Sequence, residues 1–146
     1  MTVPVEIVEL EDNSFHLLVQ AEIDGIKGEL IIDTGASVSV IDKTICATQW
    51  EKKERLSQLQ SGSVSGQIEH VELFHADYLK IGGRKLKKIS FAAIDLKYVN
   101  EMYEKHLKRK VIGLLGCDFF VHYQVIIDYA AQKLRLKWVQ KSKNRD

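Results

Sequence analysis

The sequence predicts a mainly β domain with one or two short helices. Runs that alternate apolar and polar residues recur along the chain, Asp-Gly and Gly-Gly pairs punctuate them as tight turns, and a wholly apolar stretch lies between glycines near residue 113. Val3 to Leu10 and Phe15 to Ile23 read as strands, and Asp24-Gly25 turns the chain into Gly28 to Ile32, so a hairpin presents Asp33 at its far end. Lys43 to Leu56 is the first helical candidate, with poor apolar spacing. Ser61-Gly62-Ser63-Val64-Ser65-Gly66 is small and flexible between strand-capable flanks, and reads as a mobile hairpin tip rather than a linker.

A second long hairpin follows. Val71, Leu73, Leu79 and Ile81 are expected on one strand face; Gly82-Gly83 turns, and Ile89, Phe91 and Ala93 alternate on the return. Tyr98 to Arg109 carries Val99, Met102, Tyr103 and His106 at helical spacing with charge on the other side, which predicts a short amphipathic helix. Val111 to Gly116 is an apolar strand, Cys117 to Phe120 a helical turn, and strands at Gln124 to Asp128 and Leu134 to Trp138 close the domain. Ile23-Asp24-Gly25 and Ile81-Gly82-Gly83 hint at an internal repeat.

Composition limits the function classes. With 146 residues, 45% hydrophobic, 28% charged and a net charge of +1, one compact domain over 1–139 with a polar tail at 140–146 is expected. The near balance of charge speaks against nucleic acid as a partner, because it gives no long-range pull on a phosphate backbone. No apolar stretch is long enough to span a bilayer, so no membrane partner is expected and the cytoplasm is the expected compartment, unless an export signal has been removed. Cys46 and Cys117, far apart in sequence, read as buried thiols rather than a disulfide framework.

The chemistry concentrates in Leu30-Ile31-Ile32-Asp33-Thr34-Gly35-Ala36-Ser37. A carboxylate carried to the end of an apolar strand must be hydrogen-bonded, paired or protonated. Glycine allows a sharp turn that brings amide N–H groups near it, and Thr34 and Ser37 bring hydroxyls that can donate to it. Other candidates read more plainly. His70 and Glu72 fall on one strand face and His75 and Asp77 on the other, a solvated sheet surface rather than a metal site. Asp128 ends an apolar run without a following glycine and reads as a turn-capping carboxylate, while Phe119 and Phe120 read as core.

Leu30 to Ser37 resembles the active-site loop of the retropepsin-like aspartic proteases, an apolar approach followed by Asp-Thr-Gly-Ala/Ser. Ile112-Gly113-Leu114-Leu115-Gly116 resembles that family's second landmark, and Gly62, Ser63, Val64, Ser65 and Gly66 sit where the family carries its flap, although this tip is serine-rich. Retroviral members often carry a basic residue after the second landmark; here Cys117-Asp118 follows Gly116, closer to cellular and bacterial relatives. The resemblance implies a closed β-barrel corresponding to one lobe of an acid protease. It also implies an endopeptidase that needs no metal or cofactor, in which two aspartates share one proton. The chain holds one Asp-Thr-Gly, so the second Asp33 would come from another copy in a two-fold homodimer.

Roles implied by the resemblance are Asp33 as general acid/base, Thr34 as a clamp across the axis, Gly35 as the residue that lets backbone approach the carboxylate, and Ala36 and Ser37 as loop support with Ser37 donating to Asp33. The flap would close over an extended peptide, with Val64 a contact at its tip. The alternative is a non-proteolytic dimerisation or peptide-binding module that keeps Asp33 for its hydrogen bonds.

Overall fold

The computed structural model describes residues 1–45, 56–62 and 68–137. The strands among these residues are β1 (Thr2–Pro4), β2 (Glu6–Glu11), β3 (Ser14–Ile23), β4 (Ile26–Ile32), β5 (Val40–Asp42), β6 (Leu56–Gly62), β7 (Ile68–Ile81), β8 (Arg84–Ile94), β9 (Val111–Leu115), β10 (Ile126–Asp128) and β11 (Lys133–Arg135). Among the described residues two helices join them, α1 (Lys97–Leu107) and α2 (Cys117–His122), with a helical turn at 43–45. The mainly β expectation holds.

Eight strands form one sheet in the order β2-β3-β4-β9-β5-β8-β7-β6. A further β3–β7 pairing curls it into a closed six-stranded barrel, and β1, β11 and β10 form a small second sheet. Leu30, Ile41, Phe74, Leu79, Phe91, Ile112 and Leu115, each 0–1% exposed, fill the barrel, and Val3 and Leu134 of the small sheet enter the same core. No helix among the described residues is long and apolar enough to cross a membrane.

Both predicted hairpins form, and their turns have the required chemistry. Asp24 and Gly25 adopt φ of 46° and 90°, Gly82 and Gly83 56° and 78°, so both central residues are left-handed, as a two-residue turn matched to strand twist demands. The single strand expected over Val3 to Leu10 is two. Pro4 has no N–H to continue a ladder, so β1 pairs with β11 and, beyond Val5, β2 pairs with β3.

The second hairpin corrects the expected face. Phe74 and Ala76 point into the barrel beside Leu79 and Ile81, whereas Leu73 packs outside with Val40, Ala92 and Leu96. The inward parity therefore switches between Ala76 and Leu79, opposite Lys88, which is held at φ 61°. At that kink the Asp24 carboxylate accepts the backbone N–H groups of Asp77 (3.2 Å) and Tyr78 (3.0 Å), so the bend is satisfied from the other hairpin's turn.

α1 packs Val99, Met102 and Leu107 around fully buried Tyr103, whose hydroxyl is 2.7 Å from His16 Nδ1. His106, expected on the apolar face, is exposed; Leu107 takes that place before Lys108 ends the helix at φ 53°. Leu56 opens β6 rather than closing a helix, and the rest of that expected helix, 46–55, lies outside the described residues, as do Trp138 and the tail.

Candidate active site

β4 delivers Asp33 to one end of the barrel. The Asp33 amide donates to the Leu115 carbonyl (3.0 Å), its carbonyl accepts from Ala36 (3.2 Å), and its Oδ1 accepts the Gly35 N–H (2.9 Å). A Cβ at Gly35 would stand 3.2 Å from that same Oδ1, which is why glycine fits this turn. Among the described residues Oδ2 has no hydrogen-bond partner, and Thr34, Gly35 and Ser37 are exposed around it. The half-buried Asp33 is thus braced from within and open outward.

The second glycine motif lies under this loop. β9 threads between β4, which it parallels, and β5, which it opposes; Gly113 pairs with Leu30 on one side and Ile41 on the other. A Cβ at Gly113 would run into the Val40 carbonyl oxygen. At Gly116 it would stand 2.7 Å from Val38 O and 2.8 Å from Ala36 O. These glycines let three backbone segments meet at van der Waals distance. Leu115 points into the core, and Leu114 packs outside it beside Val40.

Backbone bonds then tie the loop to α2: Cys117 N–H donates to Ala36 O (2.8 Å) and Asp118 N–H to Ser37 O (3.2 Å). Ser37 therefore contributes its carbonyl, and the amide that reaches the Asp33 carboxylate is that of Gly35. Cys117, expected as a buried thiol, is partly exposed and donates from Sγ to the Thr34 carbonyl (3.1 Å), because the close approach at Gly116 brings the start of α2 against the loop. Phe119 is buried and Phe120 packs against the core, as expected.

Sequence reasoning passed over Ser39 and Asp118. Ser39 is 2% exposed; its hydroxyl donates to Asp118 Oδ1 (2.8 Å) and accepts the Gly116 N–H (3.0 Å), and its carbonyl accepts from Ala92. Asp118 Oδ1 also accepts the Phe119 N–H (2.8 Å). The available signal was a lone hydroxyl between Val38 and Val40, since a polar side chain at an apolar strand entrance must find a partner when buried.

Of the expected flap, Gly62 ends β6 opposite Ile68 of β7; Ser63, Val64, Ser65 and Gly66 lie outside the described residues. Asp128 is a turn cap, accepting from Ala131 N–H (2.9 Å) and Arg135 (3.4 Å). The first of these bonds does most to hold its carboxyl below the ordinary range. His75 lies 2.8 Å from Ser90 Oγ and Glu72 pairs with Lys43 at 3.4 Å; no metal-binding cluster forms among the described residues.

The site is thus a single carboxylate on a glycine turn, set above a glycine-lined backbone crossing. The family profile described as aspartyl protease matches residues 19–119, and the chain belongs to that family. The fold is similar to that of a retropepsin-like aspartic protease from Rickettsia conorii, with TM-score 0.51 and 18% identity over 93% of this chain and 86% of that one. It is also similar to the retroviral protease-like domain of Ddi1 from Leishmania major, with TM-score 0.57 and 15% identity over 85% of this chain and 90% of that one. No curated protein sequence matches the chain. The architecture is retropepsin-like, and family and fold together support a protease function in general terms.

Proposed function

We propose that this chain is an aspartic endopeptidase whose active unit is a two-fold homodimer, with Asp33 of each copy forming the dyad. The observation that carries the reading is the state of the Asp33 carboxylate: one oxygen is held by the Gly35 amide, the other is open at the end of the barrel. One carboxylate cannot both take a proton from water and give one to a carbonyl oxygen in the same step. Two at close range hold a single proton between them, because both cannot ionise side by side.

In the pair, the ionised Asp33 takes a proton from water as its oxygen attacks the peptide carbonyl carbon. The protonated Asp33 of the second copy gives its proton to the carbonyl oxygen. The tetrahedral intermediate collapses as the C–N bond breaks: the Asp33 that took the proton from water gives it to the leaving nitrogen, and a hydroxyl of the intermediate returns its proton to the Asp33 of the second copy. Thr34 clamps the two loops across the axis, Ala36 and Ser37 anchor each loop to its own α2 through their carbonyls, and residues 62–66 cover an extended peptide paired along its backbone. No metal or cofactor takes part in these steps.

The test is cleavage of an unbiased peptide library from acidic to neutral pH by wild type and Asp33→Asn, with molecular mass measured in the same solutions. Wild-type cleavage by the dimer and a loss of roughly 10³-fold in Asp33→Asn is the expected result. Equal cleavage by both, or none by a dimeric wild type, returns the fold to the non-proteolytic binding reading.

A further inference from the structure

The barrel seam lies at the other end of β4, about 20 Å from Asp33 if six residues rise at strand spacing from Lys27. There β3 changes partner. Its last pair with β2 is Glu6↔Leu18 and its pairs with β7 are Glu22↔Lys80 and Ile23↔Leu79, so residues 19–21 have no strand partner on that edge among the described residues. A groove of about 970 Å³ opens along this gap, between Pro4 and Glu6 on one side and Lys80, Gly82 and Gly83 on the other.

Charge in the groove is unevenly satisfied. Glu6 is held by Arg109 through two bonds (2.7 and 2.9 Å), Glu29 reaches the same guanidinium at 3.3 Å, and Glu22 accepts the Tyr78 hydroxyl at 2.5 Å. Lys27, Lys80 and Lys110 line the same groove; none makes a close ion pair with another described residue, and Lys27 and Lys80 stand on either side of Glu22 across the sheet. Outside it Lys85 stands opposite Lys80 across β7–β8, with its ammonium over the Tyr78 ring, 4.4 Å from the centroid.

We infer that this seam groove docks an extended acidic peptide segment of a partner protein, its backbone along the β3 gap and its carboxylates on Lys27, Lys80 and Lys110. A strand edge without a strand partner, facing the groove at Gln20 and Ala21, reads an extended backbone, which a lipid headgroup layer and a DNA duplex do not offer. Within the proposed peptidase reading, on which this last consequence rests, the groove is a second contact that selects substrates carrying an acidic stretch remote from the cleaved bond.

Binding is measured by fluorescence anisotropy at low salt with a labelled decapeptide of alternating Val and Glu, its Val/Lys counterpart serving as control. Wild type and the double variant Lys27→Glu/Lys80→Glu are compared, the variant's fold being checked by circular dichroism. The acidic peptide should bind, weaken with added NaCl and lose roughly tenfold or more in affinity in the double variant, with no binding of the Lys peptide. Unchanged affinity in the variant, no binding at low salt, or tighter binding of duplex DNA or phosphatidylserine vesicles than of the acidic peptide would each overturn the assignment. The same titration on Asp33→Asn separates the two ideas, since docking requires no hydrolysis: an inactive protein that still binds leaves the groove standing, and an active one that does not bind removes it.

Discussion

The two ends of β4 are built on different physics. At its C-terminal end, beneath Asp33, Gly113 and Gly116 bring backbone against backbone so closely that a single added methyl group collides, and the polar groups beneath the loop are matched by Ser39 and Asp118. At its N-terminal end, Lys27 begins a row of charges across four strands, Lys27, Glu22, Lys80 and Lys85, set by side chains and spaced by the sheet. The first end tolerates no change of shape. The second tolerates change of shape and responds to change of charge.

The largest effect expected from this contrast is at Gly113. In Gly113→Ala the new methyl group meets the Val40 carbonyl oxygen, with Ile41 Cα and Leu30 Cδ2 each 3.2 Å away, and no flexible side-chain end can move aside to relieve the main clash. β9 must then shift between its two neighbours, at a cost of about 3 kcal/mol. Urea unfolding should show that loss. A variant as stable as wild type would mean that the crossing is looser than its geometry implies.

Much of the glycine end was legible in the sequence, because its signals are local. An apolar approach followed by Asp-Thr-Gly, two glycines three residues apart, and Asp-Gly or Gly-Gly between alternating runs each declare a turn or close approach within a few residues. What was not legible depends on partners far away in the chain. The parity switch in β7 is held by Asp24, 53 and 54 residues before the amides it caps, so no period within the strand announces it. Ser39 meets Asp118 across 79 residues, and β5, three residues long, is too short to show a period at all. The misplacement of Cys117 has the same root, since only the backbone crossing reveals that residue 117 abuts the Thr34 carbonyl.

Ser39 gives the next effect in size. Ser39→Ala removes the acceptor for the buried Gly116 N–H and one donor to Asp118, at a cost of about 2 kcal/mol. Asp118→Ala loses the acceptor for Ser39 and Phe119, but exposed water replaces part of it, so about 1 kcal/mol is expected. The ranking is the test: denaturant midpoints should place Ser39→Ala below Asp118→Ala. The reverse order would shift the weight of the loop anchor from the buried hydroxyl to the helix start.

At the charged end the effect is smaller and appears as a pH dependence. The Tyr78 hydroxyl bonded to Glu22 holds the Glu22 carboxyl below its ordinary 4.5, and Lys80, Lys27 and Lys85 act in the same direction more weakly. A carboxyl with a depressed pKa in the fold is charged there while the unfolded chain already binds a proton, so its contribution is full above pH 4.5 and disappears as pH falls through the folded value. Asp128 behaves likewise but is untouched by a change at Glu22. Glu22→Gln should therefore melt below wild type near neutral pH, and the gap between the two melting curves should close as the pH drops beneath 4.5. Curves that stay parallel through that range would show that the Tyr78 bond does not favour the charged form, and that the lysine row holds Glu22 no differently from an isolated surface carboxylate.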